Sequence, residues 1–165
     1  KLTWMNGVYI RALSPEKFHE LALPYYQKVL TRPLDLEFLS KVLQPRVETL
    51  GDIENQIAFL EKVEDFDAAL YENKKMKTDA TVAKQTLVLA LESLNNVDEW
   101  TNDNLFAALK ATAESAGVKN GQILYPVRIA LSGKETTAGG ATEIAVVLGK
   151  AETLQRIENA IKALM

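Results

Sequence analysis

The chain has 165 residues, enough for one ordinary domain or two small ones that share an interface. Its composition, 47% hydrophobic and 25% charged, is that of a soluble globular protein, and the lack of any long apolar run excludes a membrane span. A net charge of −3 argues mildly against nucleic acid, and the absence of cysteine excludes disulfides and favours the reducing cytoplasm, where we expect the protein.

The N-terminal segment predicts one helix and an early break. The first residues, 1–4, are neither a signal peptide nor a start methionine, so we expect a piece of a longer chain. Ser14 is a good helix cap and Pro15 suits the first helical position. This helix runs until it meets Pro24, where Tyr25-Tyr26 beside the proline predicts a packed turn.

Two further helices are predicted before residue 62. Large apolar residues recur at helical spacing over 34–43 and stop before Pro45. The residue before a proline is steered out of the helical region, so we predict a break at 44–46. The next apolar series, 53–60, follows Gly51, and Asp52 is its predicted cap.

The second half has more regular helical patterns. Asp79 is predicted to cap one helix, Thr101 to cap a second over 102–116, and Gly117 to end that second helix. An amphipathic helix closes the chain, with Leu154, Ile157, Ile161 and Leu164 along one face. The first of these helices has a predicted buried stripe of Ala83, Leu87, Leu91 and Leu94, which Val88 widens.

The segment 123–131 is ambiguous, since its β-branched residues also suit a strand. Pro126 argues against a central strand and fits the start of a helix, so we predict a helix here. The clearest loop in the chain follows, over 132–140.

Charge is segregated in the middle of the chain. The stretch 52–72 holds seven acidic residues against one lysine, whereas Lys74, Lys75, Lys77 and Lys84 follow at once. Either two solvated helix faces or a local basic surface would produce this pattern. The change of sign also predicts a division into two helical units, 1–72 and 73–165.

The sequence matches none of the motifs for catalysis or metal binding that it partly resembles. The segment 133–135 resembles the end of a phosphate-binding loop but lacks the earlier glycine and the final Ser or Thr. The acidic run 64–67 lacks the glycine and terminal Glu of a calcium loop. His19 is the only histidine, which excludes a zinc site built from several histidines. We therefore predict no catalytic residue and no metal site.

Four segments carry a family resemblance: 1–11, 43–50, 117–122 continued by 126–133, and 148–150 followed by 154–157. Together they extend from the first residue almost to the last, so the resemblance covers essentially the whole chain. The first and third are specific, whereas the second and fourth are short. In this order, the four segments resemble the region that follows the catalytic core in bacterial-type glutamyl-tRNA synthetases.

The resemblance implies an all-α fold of two small subdomains that grip the anticodon loop of tRNA(Glu). Arg46 resembles the arginine that reads an anticodon base, and Arg128 and Thr137 align with residues near the anticodon. Anticodon bases are unstacked, so a planar guanidinium and loop backbone groups can meet their edges. We therefore expect RNA contacts from Arg46, Arg128, Thr136, Thr137 and Gly139, and phosphate contacts from Lys74, Lys75 and Lys77.

The resemblance also implies a parent enzyme that attaches glutamate to tRNA(Glu) with ATP and Mg²⁺ in a catalytic domain outside this chain. We expect no cofactor in the chain itself, and a monomer. Other interpretations stay open on the residues alone. Arg46 could instead cap the helix before it, Arg128 could form a structural salt bridge, and the whole could be a helical protein–protein interaction module.

Overall fold

The computed structural model describes the backbone of residues 2–165 and the side chains of residues 6–165. The side chains of the first five residues of the N-terminal motif lie outside the described part. The described residues form nine α-helices and no strand, which confirms the all-α prediction. The helices are α1 Leu2–Ala12, α2 Pro15–Val29, α3 Leu36–Leu43, α4 Ile53–Glu61, α5 Ala80–Asn95, α6 Asn102–Ala116, α7 Asn120–Ser132, α8 Ala141–Leu148 and α9 Lys150–Ala163.

The predicted caps of three helices are confirmed. Ser14 accepts a hydrogen bond from the backbone N–H of Lys17 at 3.1 Å. Asp79 and Thr101 do the same for the first turns of α5 and α6, at 2.8 and 3.2 Å. Gly117 ends α6 with a φ of +73°, a left-handed conformation that glycine adopts without a steric penalty.

The packed turn predicted at Pro24 is wrong, because α2 continues through the proline to Val29. A proline inside a helix removes one backbone hydrogen bond, and here tertiary packing compensates for the loss. Tyr26 is fully buried, and its hydroxyl lies 2.8 Å from the hydroxyl of Ser40. Burial raises the pKa of Tyr26 to about 12, although the hydrogen bond with Ser40 opposes that rise.

The cap predicted at Asp52 is also wrong. Asp52 belongs to a 3-10 turn, Leu50–Asp52, and has helical dihedral angles, φ −70° and ψ −20°. A capping side chain reaches the next turn from an extended backbone, so this conformation removes the cap, and Asp52 makes no capping hydrogen bond.

Two predictions in the second half need correction. Val88 does not widen the buried stripe of α5, since 46% of it is exposed, and Thr86 and Ala90 are buried instead. The helix predicted over 123–131 is confirmed, but Pro126 lies buried in its interior and α7 begins six residues earlier, at Asn120. The patterns predicted neither α1 nor α8.

The core is continuous through both halves of the chain. In the first half α2 packs on α3 and α4, and in the second half α5 packs on α6, α7 and α9. Contacts of α3 with α8 and of α4 with α7 join the two halves. A 3-10 turn at Ala68–Tyr71 packs on α5 and α7. Its contacts therefore group this turn with the helices of the second half of the chain. The division at residue 72 stays a prediction.

Across the described part of the chain, every helix falls short of the length and hydrophobicity that a bilayer crossing requires.

The two predicted caps of α4 and α5 offer a matched test of capping. We expect Asp79→Ala to lower the free energy of unfolding by about 1 kcal/mol, since it leaves the N–H of Val82 without its acceptor. Asp52→Ala removes no capping hydrogen bond and should cost less than about 0.5 kcal/mol. Urea denaturation of both variants measures the difference, and equal losses would contradict the assignment.

Candidate functional site

Arg46 lies just beyond the C-terminal end of α3. Its Nη1 donates a hydrogen bond to the carbonyl of Val42 at 2.6 Å, so the capping interpretation of this arginine is confirmed. Its Nη2 lies 3.6 Å from Oε1 of Glu143 on α8. The side chain is nevertheless 43% exposed. A guanidinium has five N–H donors, so capping leaves Arg46 able to bind a ligand.

A groove of about 500 Å³ opens beside Arg46. One wall is α4, and the other is the loop that follows α7. The carbonyl Oε1 of Gln56, on the α4 wall, is buried without a hydrogen-bond partner among the described residues. The lining residues are Arg46, Asn55, Gln56, Phe59, Lys134, Thr136, Thr137 and Ala138.

The loop wall is held in place by local packing. Thr137 donates its hydroxyl hydrogen to the carbonyl of Gly139. Gly139 is buried, and a Cβ at this position would lie 2.7 Å from Cγ1 of Val42. Glycine is therefore required at position 139 for close packing on α3. Thr136, in the same loop, is exposed. An RNA contact of Gly139 stays a prediction.

Glu143 connects the loop to Arg46. Its Oε1 accepts a hydrogen bond from the backbone N–H of Gly140 at 2.9 Å, which fixes the point where the loop enters α8. The same oxygen is the partner of Arg46 at 3.6 Å. One carboxylate therefore sets the position of the loop relative to the arginine.

Arg128 lies on the other side of the loop, in α7. Its Nη1 donates a long hydrogen bond, 3.4 Å, to the carbonyl of Glu135, and its Nε is buried without a partner. The salt bridge considered for Arg128 is not found among the described residues, 6–165. Arg128 lines a hollow of about 240 Å³ together with Met76, Gly121 and Gly140.

The three lysines of the candidate phosphate site are exposed on one tight turn. Asn73 and Thr78 close the turn by pairing their backbones, and Lys77 has a φ of +59°. The turn docks on the start of α7, where Gln122 donates a hydrogen bond to the carbonyl of Lys77 at 3.0 Å. Gly121 leaves the space that the sulfur of Met76 occupies. We call the segment 73–78 the lysine turn.

These parts are linked through shared neighbours, and we call their cations together the basic strip. Arg46 and the loop line the same groove, Arg128 touches the loop at Glu135, and Arg128 shares its hollow with Met76 of the lysine turn. Lys134 adds a further exposed cation. The cations of the basic strip are Arg46, Lys74, Lys75, Lys77, Arg128 and Lys134.

The sequence patterns missed the α4 wall of the groove. Asn55, Gln56 and Phe59 gave no signal because their role depends on a loop about 80 residues further along the chain, beside α4 only in the folded protein. Within the described residues, acidic and histidine side chains form no group that could hold a metal ion.

Comparisons with known proteins identify the family to which the chain belongs. The family model described as "Anticodon binding domain" matches residues 17–161, and the chain belongs to that family. It is also similar to glutamate–tRNA ligases: 46% identical over 164 residues to that of Clostridium botulinum and 43% over 164 residues to that of Clostridium tetani. These alignments cover 99% of this chain but 34% of each relative, so the chain spans about a third of their length.

A solved structure shares the fold. The crystal structure of a glutamate–tRNA ligase from Elizabethkingia meningosepticum, in complex with its amino acid, superposes with a TM-score of 0.81 at 24% identity. The superposition covers 99% of this chain and 32% of that protein.

The loop wall of the groove makes a prediction about packing. In Gly139→Ala the new methyl group meets Val42, and we expect a loss of about 1–3 kcal/mol in the free energy of unfolding. Gly51→Ala is the control, since its Cβ would meet nothing closer than 3.9 Å and its effect should be neutral or slightly stabilising. Thermal and urea denaturation of both variants provide the measurement. Equal stabilities would contradict the close packing of the loop.

Proposed function

We propose that this chain recognises the anticodon loop of tRNA(Glu) as part of a glutamate–tRNA ligase. Membership of the anticodon-binding family and 46% identity to ligases of that name support the proposal. The observation that carries it is the position of Arg46. This arginine is fixed at the end of α3 yet partly exposed, and it lines a groove of about 500 Å³.

The groove offers the chemistry that base recognition requires. Single-stranded bases are bound by stacking and by hydrogen bonds to their edges. The guanidinium of Arg46 provides a rigid set of donors, and the amide of Gln56 provides both a donor and an acceptor. Thr136 and Thr137 add hydroxyl groups on the opposite wall. A base in this groove would therefore meet groups that distinguish its edge from those of other bases.

The rest of the basic strip suits the phosphate backbone. Lys74, Lys75 and Lys77 are exposed, and lysine ammonium groups neutralise phosphates without reading sequence. Arg128 lies between the lysine turn and the loop, where it could contact either a phosphate or a base. In this proposal, the groove selects the sequence and the lysines add affinity.

The rest of the proposed ligase supplies the reaction. Attachment of glutamate consumes ATP, with Mg²⁺, and takes place in a catalytic domain outside this chain. This chain then binds neither cofactor and contributes only RNA contacts. The proposed protein acts as a monomer in the cytoplasm.

Arg46 provides the principal test of the proposed function. We expect Arg46→Ala to weaken binding of a tRNA(Glu) anticodon stem-loop by about 1–3 kcal/mol, because the groove loses its fork of donors. Arg46→Lys keeps the charge but loses the planar geometry, so it should recover only part of the affinity. Fluorescence anisotropy at several salt concentrations measures both variants.

Lys162→Ala is the charge-matched control for this test, because Lys162 is exposed on α9 and lines no part of the groove. The affinity of the Lys162→Ala variant for the stem-loop should stay close to that of the unaltered chain. If the full tRNA showed no salt-sensitive binding, or if Arg46→Ala had no effect, the proposal would be wrong. A protein–protein interaction module would then be favoured.

We predict that changes in the lysine turn affect RNA binding differently from changes at Arg46. Replacing Lys74, Lys75 and Lys77 with alanine together should weaken binding of matched and mismatched stem-loops by the same factor. The slope of log affinity against log salt should become shallower by about 0.7 for each lost phosphate contact. The measurement is binding at four or more salt concentrations. A loss confined to one stem-loop sequence would contradict a phosphate role.

A further inference from the structure

Arg156 is a buried arginine that the proposed function does not use. It lies in α9, within the segment 154–157 that carries part of the family resemblance, and only 5% of it is exposed. Its Nη1 donates to the carbonyls of Phe59 and Leu131 at 2.8 and 2.7 Å. Its Nη2 donates to the carbonyl of Leu60 at 2.8 Å. One guanidinium therefore joins the C-terminal ends of α4 and α7.

Acidic and basic neighbours hold this guanidinium in place. Glu152, one turn earlier on α9, accepts a hydrogen bond from Nε of Arg156 at 2.8 Å. The other oxygen of Glu152 lies 3.1 Å from Arg32, and Nε of Arg32 donates to the carbonyl of Glu61 at 2.9 Å. The network thus fixes the end of α4 from two directions.

The charged group at this position has a desolvation cost as well as a bonding role. Desolvation of a buried ion is costly, and here it lowers the pKa of Arg156, opposed by the nearby carboxylate of Glu152. Apolar side chains of similar volume often replace buried ion pairs without loss of stability. What an apolar residue cannot do is direct several donors at carbonyls on two different helices. Arginine therefore satisfies these carbonyls and at the same time fixes the geometry between the two helices.

One of the joined helices, α4, forms a wall of the groove, and the other, α7, leads into the loop that forms the opposite wall. The side chain of Phe59 lines the groove while its carbonyl accepts from Arg156, and Gln56 lies one turn earlier on the same wall. Leu131 lies at the end of α7, directly before the loop that forms the opposite wall. A shift of either helix end would change the distance between the walls.

We propose that Arg156 is a positioning residue for RNA recognition, which holds the α4 wall and the loop wall of the groove at the separation that lets a bound base reach Arg46. The inference rests on the proposed anticodon function. Arg156 itself has no part in contacting RNA, since its donors are directed into the protein.

A double-mutant cycle tests this role. The affinities of the whole chain for the tRNA(Glu) anticodon stem-loop are measured for the unaltered chain, Arg46→Ala, Arg156→Lys and the double variant. Lysine keeps the charge but cannot reproduce the fork of donors. We expect the fold-loss caused by Arg46→Ala to shrink by about threefold or more in the Arg156→Lys background, because the base no longer meets Arg46 in the right place.

Lys75→Ala is the matched control, because the lysine turn docks on the start of α7, away from the joined ends. Its fold-loss should be the same in both backgrounds. A merely structural role would leave the Arg46 effect unchanged too, and that result would overturn the inference while leaving the anticodon function intact. If Arg46→Ala had no effect even in the unaltered chain, the proposed function and this inference would fail together.

Glu152→Gln provides a second background, in case Arg156→Lys fails to fold. The amide keeps the volume of the side chain but removes the charge that holds Nε of Arg156. Circular dichroism identifies which variants are folded. In a folded Glu152→Gln protein, a reduced Arg46 effect with an unchanged Lys75 effect would support the inference, and two unchanged effects would overturn it.

Discussion

The end of α4 is the constraint on which the rest of the structure depends. A helix leaves its last four carbonyls without partners inside the helix, and buried carbonyls without partners are costly. Near this end α4 meets α7, so water cannot satisfy them all, and other residues must supply the donors. The carbonyl of Ala58 accepts from Lys62 N, those of Phe59 and Leu60 from Arg156, and that of Glu61 from Arg32.

Arg156 and Arg46 both bond to carbonyls at helix ends, but they differ in how many donors remain for a ligand. Arg156 has its donors occupied by three carbonyls and a carboxylate, and it is almost completely buried. Arg46 makes one backbone hydrogen bond, has a more distant carboxylate partner at 3.6 Å, and is partly exposed. Both satisfy helix C-termini, which attract cations. Of these two arginines, only Arg46 keeps N–H donors that a ligand can reach. Because both residues are arginines, the difference in binding capacity comes from their burial.

The accuracy of the sequence-based predictions follows the range of the interactions involved. Caps such as Asp79 and Thr101 bond to residues three positions away, so local sequence specifies them. Pro24 and Pro126 defeat local rules because the burial of Ala22 and Tyr26 in α2, and of Pro126 itself in α7, outweighs the loss of one hydrogen bond in each helix. The α4 wall and the role of Arg156 depend on partners 25 to 97 residues away, which no local pattern encodes. The resemblance, by contrast, indicated Arg46 and the loop because it carries long-range information.

The net charge is a poor guide for a related reason, because several acidic side chains have partners in the described part of the chain, whereas the lysine turn makes no ion pair there. Glu61 accepts two hydrogen bonds from Thr31, which lower its pKa, and Asp67 caps the 3-10 turn at Ala68–Tyr71. Glu54 pairs with Lys28. The lysine turn makes no ion pair within residues 6–165, so its charge is directed outward. Salt screens electrostatic attraction beyond about 8 Å, so the charges nearest to an anion outweigh the sum over the whole chain.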